Sequence, residues 1–350
     1  MATTKPGSVA QLGETIRNRS KLLVHASLLL VAAMWGSNFI SMKYLLRSID
    51  PVELVLLRLM LGSLIFGAIL LVSSHAFPRF TRREWGWLAI IGTLGITINI
   101  FAVAFGTQLI PAGLASLIVT SNPVFTALLS RAILHESLTR QKVLGILIAF
   151  AGFLIVLLWG GPDATFNLHN SLGVLITLFG PSAWALYTIL SKPYLKRCPP
   201  TQFAGIVTIV GALPAMPLLL FDHRIFVDMT RFGPSQWLAT LVTTGLALVL
   251  SYALWYRGLR DLQPTQVAVY IYMVPVFGVL GSWLVLGEPI TIFLLIGGAT
   301  ILFGVMLTNR SRRGTVDEHG NRQRMTPVVA VAGSGDTDIV PGIFTEQIGK

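Results

Sequence analysis

The sequence predicts an all-α integral membrane protein with ten transmembrane helices, arranged as a five-plus-five inverted repeat. Three observations support this fold class. Of the 350 residues, 53% are hydrophobic and only 12% are charged, whereas a soluble domain carries roughly 25% charged residues. The apolar residues form ten runs, and a bilayer core needs about 20 mostly apolar residues per helix. The second half of the chain also repeats the first, which is typical of secondary transporters.

Short loops rich in Pro and Gly separate the ten apolar runs. The predicted spans are residues 22–43, 52–72, 86–106, 112–134, 142–160, 171–191, 201–221, 236–258, 264–286 and 291–308. We therefore expect one five-helix repeat over residues 22–160 and a second over residues 171–308. Residues 1–21 and 309–350 are polar and lack apolar periodicity. We expect a cytoplasmic segment in the first of these ranges and a disordered cytoplasmic tail in the second.

The internal repeat is clearest between residues 111–157 and residues 263–309, which align without a gap at a constant offset of 152. Identical residues recur along both segments: Pro123 pairs with Pro275, Glu136 with Glu288, Gly145 with Gly297 and Gly152 with Gly304. Because each repeat has an odd number of helices, the second copy is inverted relative to the first. This symmetry lets a carrier alternate between inward-open and outward-open states when its two halves swap conformations.

The basic residues predict the orientation, because Lys and Arg in short loops favour the cytoplasmic side. Sixteen of them fall on the side that holds both termini: Arg17, Arg19, Lys21, Arg79, Arg82, Arg83, Arg140, Lys142, Lys192, Lys196, Arg197, Arg257, Arg260, Arg310, Arg312 and Arg313. Four fall on the other side: Lys43, Arg47, Arg224 and Arg231. We expect a multi-pass protein of the inner or plasma membrane with both termini in the cytoplasm. The net charge of +11 comes from such clusters and does not indicate nucleic-acid binding.

Several motifs resemble one known family. They are Ala-Met-Trp-Gly-Ser-Asn at residues 33–38, Arg58-Leu59 and Pro-Ala-Gly-Leu-Ala-Ser at residues 111–116. Two further motifs correspond between the repeats: Asn122-Pro-Val-Phe begins a segment that ends at His135-Glu136, and Val274-Pro-Val-Phe begins one that ends at Gly287-Glu288. Over residues 24–308 the chain resembles the EamA family of the drug/metabolite transporter superfamily. His135 departs from the pattern, because the first repeat of that family often has Gly before the Glu. The resemblance implies a ten-helix carrier that exports amino acids or related small metabolites through a central cavity lined by both repeats.

Polar and aromatic residues within the predicted spans are the candidate substrate-binding residues, because such groups are costly in lipid unless they face a cavity or another helix. The candidates are Trp35, Asn38, Asn99, Asn122, Trp184, Tyr187, Tyr252, Tyr270 and Tyr272. Amides and phenols would orient a zwitterion or a neutral polar solute, and the rings would supply contact area. Alternatively, these side chains hydrogen-bond or pack between helices. Lys192 aligns with Lys43 at an offset of 149, which pairs Trp184 with Trp35 and fits a two-sided gate.

Two prolines are candidate hinges. Pro123 and Pro275 each remove a backbone donor and are predicted to free a carbonyl inside a helix. A kink that serves packing alone is the alternative. The small residues Gly145-x-x-x-Ala149 and Ser63-x-x-x-Gly67 predict two seams of close helix packing.

Arg58 lies about two turns into the second span, too deep to reach the membrane surface easily. It is a candidate partner for a substrate carboxylate. The alternative, which we favour from the sequence, is a structural ion pair with Glu53 or Asp50.

The positions of the acidic residues argue against cation export by direct proton exchange. All fifteen Asp and Glu residues lie in tails, in loops or at span ends, whereas proton-driven carriers of organic cations usually need a carboxylate within the membrane. We therefore expect a neutral, zwitterionic or anionic substrate. An enzyme is not expected, because Thr139 stands where a zinc-binding His-Glu-x-x-His motif would need its second histidine, and no phosphate-binding loop is present. We expect no cofactor and no metal.

These observations predict a secondary transporter that exports small metabolites, above all amino acids, by alternating access. Two alternatives stay open: a nucleotide-sugar or organophosphate exchanger with the same helix layout, and a membrane scaffold that does not transport. Lys43 and Arg58 are the basic residues placed to face a substrate, so a doubly charged phosphate would be poorly compensated. The expected partners are a small-molecule substrate and the lipid bilayer, with no nucleic acid. The sequence leaves the oligomeric state open, and a monomer is compatible with it.

Overall fold

The computed structural model describes residues 6–73, 78–134, 139–160, 168–195, 197–221, 224–261 and 269–310. For residues 6–22 and some others within these ranges it describes only the backbone. All regular secondary structure in the described ranges is helical, which confirms the predicted all-α class. The predicted tail beyond residue 310 and the residue pair His135-Glu136 lie outside the described residues.

The helices of the first half follow the predicted order. They are α1 (Pro6–Leu45), α2 (Pro51–Val72), α3 (Arg82–Leu109), α4 (Ala112–Val119 and Asn122–Leu134) and α5 (Arg140–Trp159). The first helix starts well before the predicted span. Capping boxes fix the starts of α2 and α3, since Asp50 with Glu53, and Thr81 with Glu84, bond each other's backbone N–H groups.

The second half repeats this arrangement with more irregular helices. They are α6 (Leu168–Leu195), α7 (Pro200–Ala212, continued by the 3₁₀ helix Leu213–Leu220), α8 (Pro234–Thr240, Leu241–Leu250 and Ser251–Asp261), α9 (Val269–Met273, Val274–Gly281 and Ser282–Leu286) and α10 (Ile292–Arg310). A short helix, Arg224–Thr230, joins α7 to α8. The sequence did not predict it, because seven partly polar residues give no 20-residue apolar window.

Ten apolar helical segments account for the predicted spans. Among the described residues, eight helices are long and apolar enough to cross a membrane, and Tyr270–Leu286 and Ile292–Thr308 are shorter apolar segments. We refer to the end of the bundle where α1 ends and α2 begins as the Lys43 face. The opposite end, where α2 ends and α3 begins, is the Arg197 face, because Arg197 pairs there with Glu84.

The helices α3 and α8 share an irregularity that the sequence did not predict. Each contains a π-helical segment, at Thr93–Ile98 in α3 and Leu241–Leu250 in α8. The repeat offset of 152 carries residues 93–98 onto residues 245–250, inside the second segment. π-Helices are rare and occur frequently at functional sites. Their recurrence at equivalent positions indicates that the two halves share this backbone feature.

The prolines at 123 and 275 lie at the starts of helical segments. Pro123 is the second residue of Asn122–Leu134, and Pro275 is the second residue of Val274–Gly281. In α4 the helix is already interrupted before the proline, since the Thr120 and Ser121 amides bond carbonyls only three residues back. A proline in the first turn costs no helical hydrogen bond, so the predicted loss of a bond inside a continuous helix is wrong for Pro123. In α9 the 3₁₀ segment Val269–Met273 runs directly into Val274–Gly281, and the loss of a bond at Pro275 stays a prediction. The role of both prolines as hinges stays a prediction.

A seam of small residues joins α5 to α10. A Cβ added at Gly145 would lie 2.7 Å from the Gly304 carbonyl oxygen, and one at Gly152 would lie 2.8 Å from the Gly297 oxygen. Gly297 is the repeat counterpart of Gly145, and Gly304 is that of Gly152. Each glycine therefore meets the counterpart of the other, as a two-fold axis between the repeats requires.

The second predicted seam is not a close contact. A Cβ added at Gly67 would meet no atom within 4 Å, so the pair Ser63 and Gly67 does not mark tight packing at its second member. The α5–α10 seam, by contrast, confirms the prediction for Gly145 and Ala149, because the Ala149 backbone lies against Gly304.

Candidate functional site

The first two predicted site residues lie on α1 and bond to the π-helical segment of α8. The Trp35 indole N–H donates to the Ser251 hydroxyl at 2.8 Å and to the Ala247 carbonyl at 3.2 Å. Asn38 lies one turn after Trp35 on α1, and its side-chain oxygen accepts from the Thr243 hydroxyl at 2.5 Å. These bonds fix the α1 side chains against the widened turn of α8.

Aromatic rings from both repeats meet beside these bonds. Tyr252 lies between two tryptophans, with ring centroids 6.5 Å from Trp35 and 5.5 Å from Trp184. Trp184 in turn contacts Tyr187 at 5.1 Å, and Trp35 contacts Trp255 at 5.0 Å. We call these five residues the aromatic cluster. The structure thus brings together four predicted site residues, and the two tryptophans that the repeat pairs in sequence contact the same tyrosine.

Trp255 is a member that the sequence analysis missed. It follows Tyr252 by three residues, a spacing that places both on one helix face. That spacing was the available signal. Predicted span 236–258 placed Trp255 close to a membrane boundary, where tryptophan is expected for other reasons.

Arg58 is buried at the junction of α1, α2 and α8, with 5% of its surface exposed. One terminal nitrogen donates to the Met42 sulfur at 3.2 Å, and the other donates to the Thr243 carbonyl at 3.2 Å. The Nε atom has no hydrogen-bond partner in the structure. The Asn38 amide also donates to the Met42 sulfur, at 3.3 Å. We call Asn38, Met42, Arg58 and Thr243 the polar cluster.

The predicted ion pair of Arg58 with Glu53 or Asp50 is wrong. Those carboxylates face Arg224, whose nitrogens lie 2.8 Å from Asp50 Oδ2 and 4.0 Å from Glu53 Oε1. The reason is helical geometry, because residues three or four apart share a face whereas Glu53 and Arg58 are five apart. Their side chains therefore leave α2 in different directions.

The two predicted asparagines of α3 and α4 both contact α6, at the adjacent residues Gly180 and Pro181. The Asn122 amide donates to the Pro181 carbonyl at 3.1 Å, and a Cβ added at Gly180 would lie 3.1 Å from the Asn99 side-chain oxygen. Pro181 lies inside α6 and removes a helical hydrogen bond there. Both side-chain amides thus contact α6 about one turn before Trp184, which agrees with the alternative that these side chains hydrogen-bond or pack between helices. That they also contact a substrate stays a prediction.

The other four aromatic candidates belong to the aromatic cluster as defined above, whereas Tyr270 and Tyr272 do not. The Tyr270 hydroxyl and the His25 Nδ1 atom are 2.7 Å apart. His25 precedes Trp35 by ten residues, about 15 Å along a helix, so this contact lies toward the Arg197 face. Tyr272 is buried in the main core of the bundle.

A cavity of about 330 Å³ opens at the Lys43 face. Its lining includes Leu46 and Glu53. Leu46 is one turn from Met42 on α1, and Glu53 is between one and two turns from Arg58 on α2, which amounts to about 6–8 Å along each helix. No member of the polar cluster lines this cavity.

Comparisons with known proteins match both halves of the chain. The model of a family described as "EamA-like transporter family" matches residues 22–158 and 171–310. A solved structure described as "Crystal structure of protein" is 23% identical and has a TM-score of 0.55, covering 83% of this chain and 96% of its own. That structural likeness supports the fold alone.

Related sequences are named as transporters. An "Uncharacterized transporter" of Archaeoglobus fulgidus is 25% identical, over 81% of this chain and 98% of the relative. A "Probable amino-acid metabolite efflux pump" of Salmonella typhimurium is 29% identical, and one of Escherichia coli is 28% identical; each match covers 80% of this chain and 92% of the relative. These names describe transport proteins and not enzymes.

Proposed function

The chain belongs to the EamA-like transporter family, and from this membership we propose that it is a secondary transporter that exports small metabolites, with amino acids as the substrate class. As a family member it is a multi-pass membrane transporter and not an enzyme. Two relatives carry the name of amino-acid metabolite efflux pumps, which supports the substrate class and the direction. Alternating access is the mechanism that inverted repeats support.

The meeting of Trp35 and Trp184 on Tyr252 is the observation that carries this proposal. The two tryptophans come from equivalent positions of opposite repeats, and substrate sites of inverted-repeat carriers form where the repeats meet. Rings and hydrogen-bonding groups suit a solute with an apolar side chain and a polar end. We place the substrate between the aromatic cluster and the polar cluster.

The contacts of Lys43 argue against the phosphate-exchanging alternative. Its ammonium donates to three backbone carbonyls, of Thr107, Gln108 and Ile110, at 2.8–2.9 Å. An ammonium has three donors, so all are used. Of the two basic residues placed to face a substrate, Arg58 alone keeps an open donor, and one guanidinium compensates a single carboxylate better than a doubly charged phosphate.

We further propose that the Lys43 face is extracytoplasmic and that the protein resides in the inner or plasma membrane with both termini in the cytoplasm. The sixteen-to-four distribution of basic loop residues supports this orientation. Export then releases substrate at the Lys43 face.

Counterflow in liposomes tests the function. Vesicles containing the purified protein and an internal mixture of amino acids should accumulate labelled amino acid, with or without a pH gradient, if the carrier is facilitative. W184A should abolish this uptake. W283A is the matched control, because Trp283 is 52% exposed on α9 and is not one of the five residues of the aromatic cluster. Absence of counterflow for every amino acid, with folded protein, would exclude the proposed substrate class, and unaffected uptake in W184A would exclude the proposed site.

A further inference from the structure

We propose that Arg58 binds the carboxylate of the transported solute, so that the carrier requires substrates with a free carboxylate. This inference rests on the proposed function and names the group that the site recognises. Arg58 is a substrate-binding residue in this account, in place of the structural ion pair that the sequence favoured.

The first argument is charge compensation. Among the described residues no ion pair includes Arg58, and its two hydrogen-bond acceptors, a thioether and a backbone carbonyl, are both neutral. A buried charge in a membrane protein is costly unless a counter-charge or a set of hydrogen bonds compensates it. A carboxylate ligand supplies both, and the unpartnered Nε–H is the donor that it would take up.

The second argument is the surroundings of the guanidinium. The Thr243 carbonyl accepts from Arg58 and the Thr243 hydroxyl donates to Asn38, which lies one helical turn from Trp35 on α1. These contacts link Arg58 to the rings of the aromatic cluster. The faces of such rings attract an ammonium group. A zwitterionic amino acid can therefore place its carboxylate on Arg58 and its ammonium against the aromatic cluster. No acidic side chain is needed for the ammonium, in agreement with acidic residues that all lie outside the centres of the spans.

Thermal stabilisation of the purified protein tests the proposal. The probes are an equimolar mixture of the eighteen L-amino acids other than aspartate and glutamate, and the matched mixture of their primary amides, which lack a carboxylate. We expect the amino acids to raise the melting temperature of the native protein, and the amides should need an at least tenfold higher concentration for the same rise. The R58Q variant should need an amino-acid concentration about 10- to 100-fold higher for that rise, which corresponds to the loss of one hydrogen bond to a charged group. The R58K variant should require a concentration between those of the native protein and R58Q. The R231Q variant, a change at an exposed arginine, should require the same concentration as the native protein.

Either of two results would overturn the role of Arg58: amides that stabilise the native protein as well as the acids, or an R58Q variant that keeps the native concentration dependence. The comparison of acids with amides uses native protein and decides the matter even where R58Q does not fold. Stabilisation by amino acids together with counterflow, but without a carboxylate requirement, leaves the proposed function standing. Loss of both stabilisation and counterflow in the native protein removes the function and this inference with it.

A different set of contacts carries a second inference. At the Lys43 face two charged residues hold the loop between α3 and α4. Lys43, at the end of α1, donates to the last carbonyls of α3, and the Glu288 carboxylate, after α9, accepts from the Ala112 and Gly113 amides at 3.0 and 3.3 Å. A cation at a helix C-terminus and an anion at a helix N-terminus are each favourable. We infer that this pair is a latch that keeps the Lys43 face closed.

Cysteine accessibility tests the latch. Cys198 is the single native cysteine, so C198A gives a clean background for S116C, which is fully buried one turn below the Glu288 contact. K43M and E288Q should each speed labelling of S116C by an impermeant thiol reagent about tenfold. R47Q removes an exposed charge at the same face and should have no effect. Unchanged labelling in K43M and E288Q, in protein that keeps its native melting temperature, would refute the latch.

Discussion

Alanine at Gly304 should destabilise the packing of α5 against α10. The added Cβ would lie 2.6 Å from the Gly145 carbonyl oxygen, and the Ala149 amide is closer still. Ordinary contact begins near 3.4 Å, so the helices would have to separate by about 1 Å to clear the Ala149 nitrogen. The obstructing atoms belong to a helix backbone and cannot rotate away. Overpacking of this kind costs about 1–3 kcal/mol.

The matched control is G67A. Alanine favours a helix over glycine by up to about 1 kcal/mol, and this gain is common to both variants, whereas a Cβ at Gly67 meets nothing within 4 Å. The difference between the two variants therefore isolates the cost of overpacking. Thermal unfolding of detergent-solubilised protein, followed by tryptophan fluorescence, should show G304A melting several degrees below G67A, at roughly 2–4 °C per kcal/mol.

The repeat supplies an internal check on this reasoning. Gly152 is the counterpart of Gly304, and its added Cβ would lie 2.8 Å from the Gly297 oxygen. The melting temperature of G152A should therefore lie below that of G67A by a similar amount. Equal melting temperatures for G304A and G67A would refute the argument from the seam, and a stabilised G152A would refute the two-fold relation of the glycine pairs.

Three further changes have expected outcomes. W35F keeps a ring but loses the N–H donated to Ser251, and we expect a loss of about 1 kcal/mol in unfolding free energy; an unchanged melting temperature would contradict this. N122L leaves the Pro181 carbonyl without its side-chain donor and should lower the free energy of unfolding by about 1–3 kcal/mol, measured the same way; a native melting temperature would show that this bond does not stabilise the fold. Burial raises the pKa of the Cys198 thiol, so at pH 8 less thiolate is present than in unfolded protein, and iodoacetamide should react more slowly with native protein. Equal rates would show that the thiol is accessible.

The composition and the repeat were enough to predict the helices, because each span needs only length and apolarity to be recognised. The glycine seam was predictable for Gly145, since small residues spaced by four mark close approach. The π-helical segments were not predictable. In a helix that is apolar all round, one additional residue per turn leaves no trace in the hydrophobic pattern.

The same uniform apolarity explains the errors at the site. It does not show which face of a span points inward, so Tyr270 and Tyr252 were equivalent candidates in the sequence, although Tyr270 contacts His25 and Tyr252 joins the aromatic cluster. For Arg58, the nearby acids suggested an ion pair, whereas Arg224 in an unpredicted short helix takes both carboxylates. A distant partner of this kind leaves no local pattern.

The two repeats use one backbone arrangement for different chemistry, and this difference bears on the substrate. At the offset of 149, Asn38 corresponds to Tyr187. Asn38 bonds through Thr243 to the π-helical segment of α8, whereas Tyr187 packs on the π-helical segment of α3, where a Cβ added at Gly95 would lie 2.6 Å from the Tyr187 Cβ. One side of the junction is thus polar and adjoins Arg58, and the other is aromatic. A symmetric solute would leave one side poorly matched, whereas a molecule with a charged end and an apolar side chain matches both, which supports amino acids as the transported class.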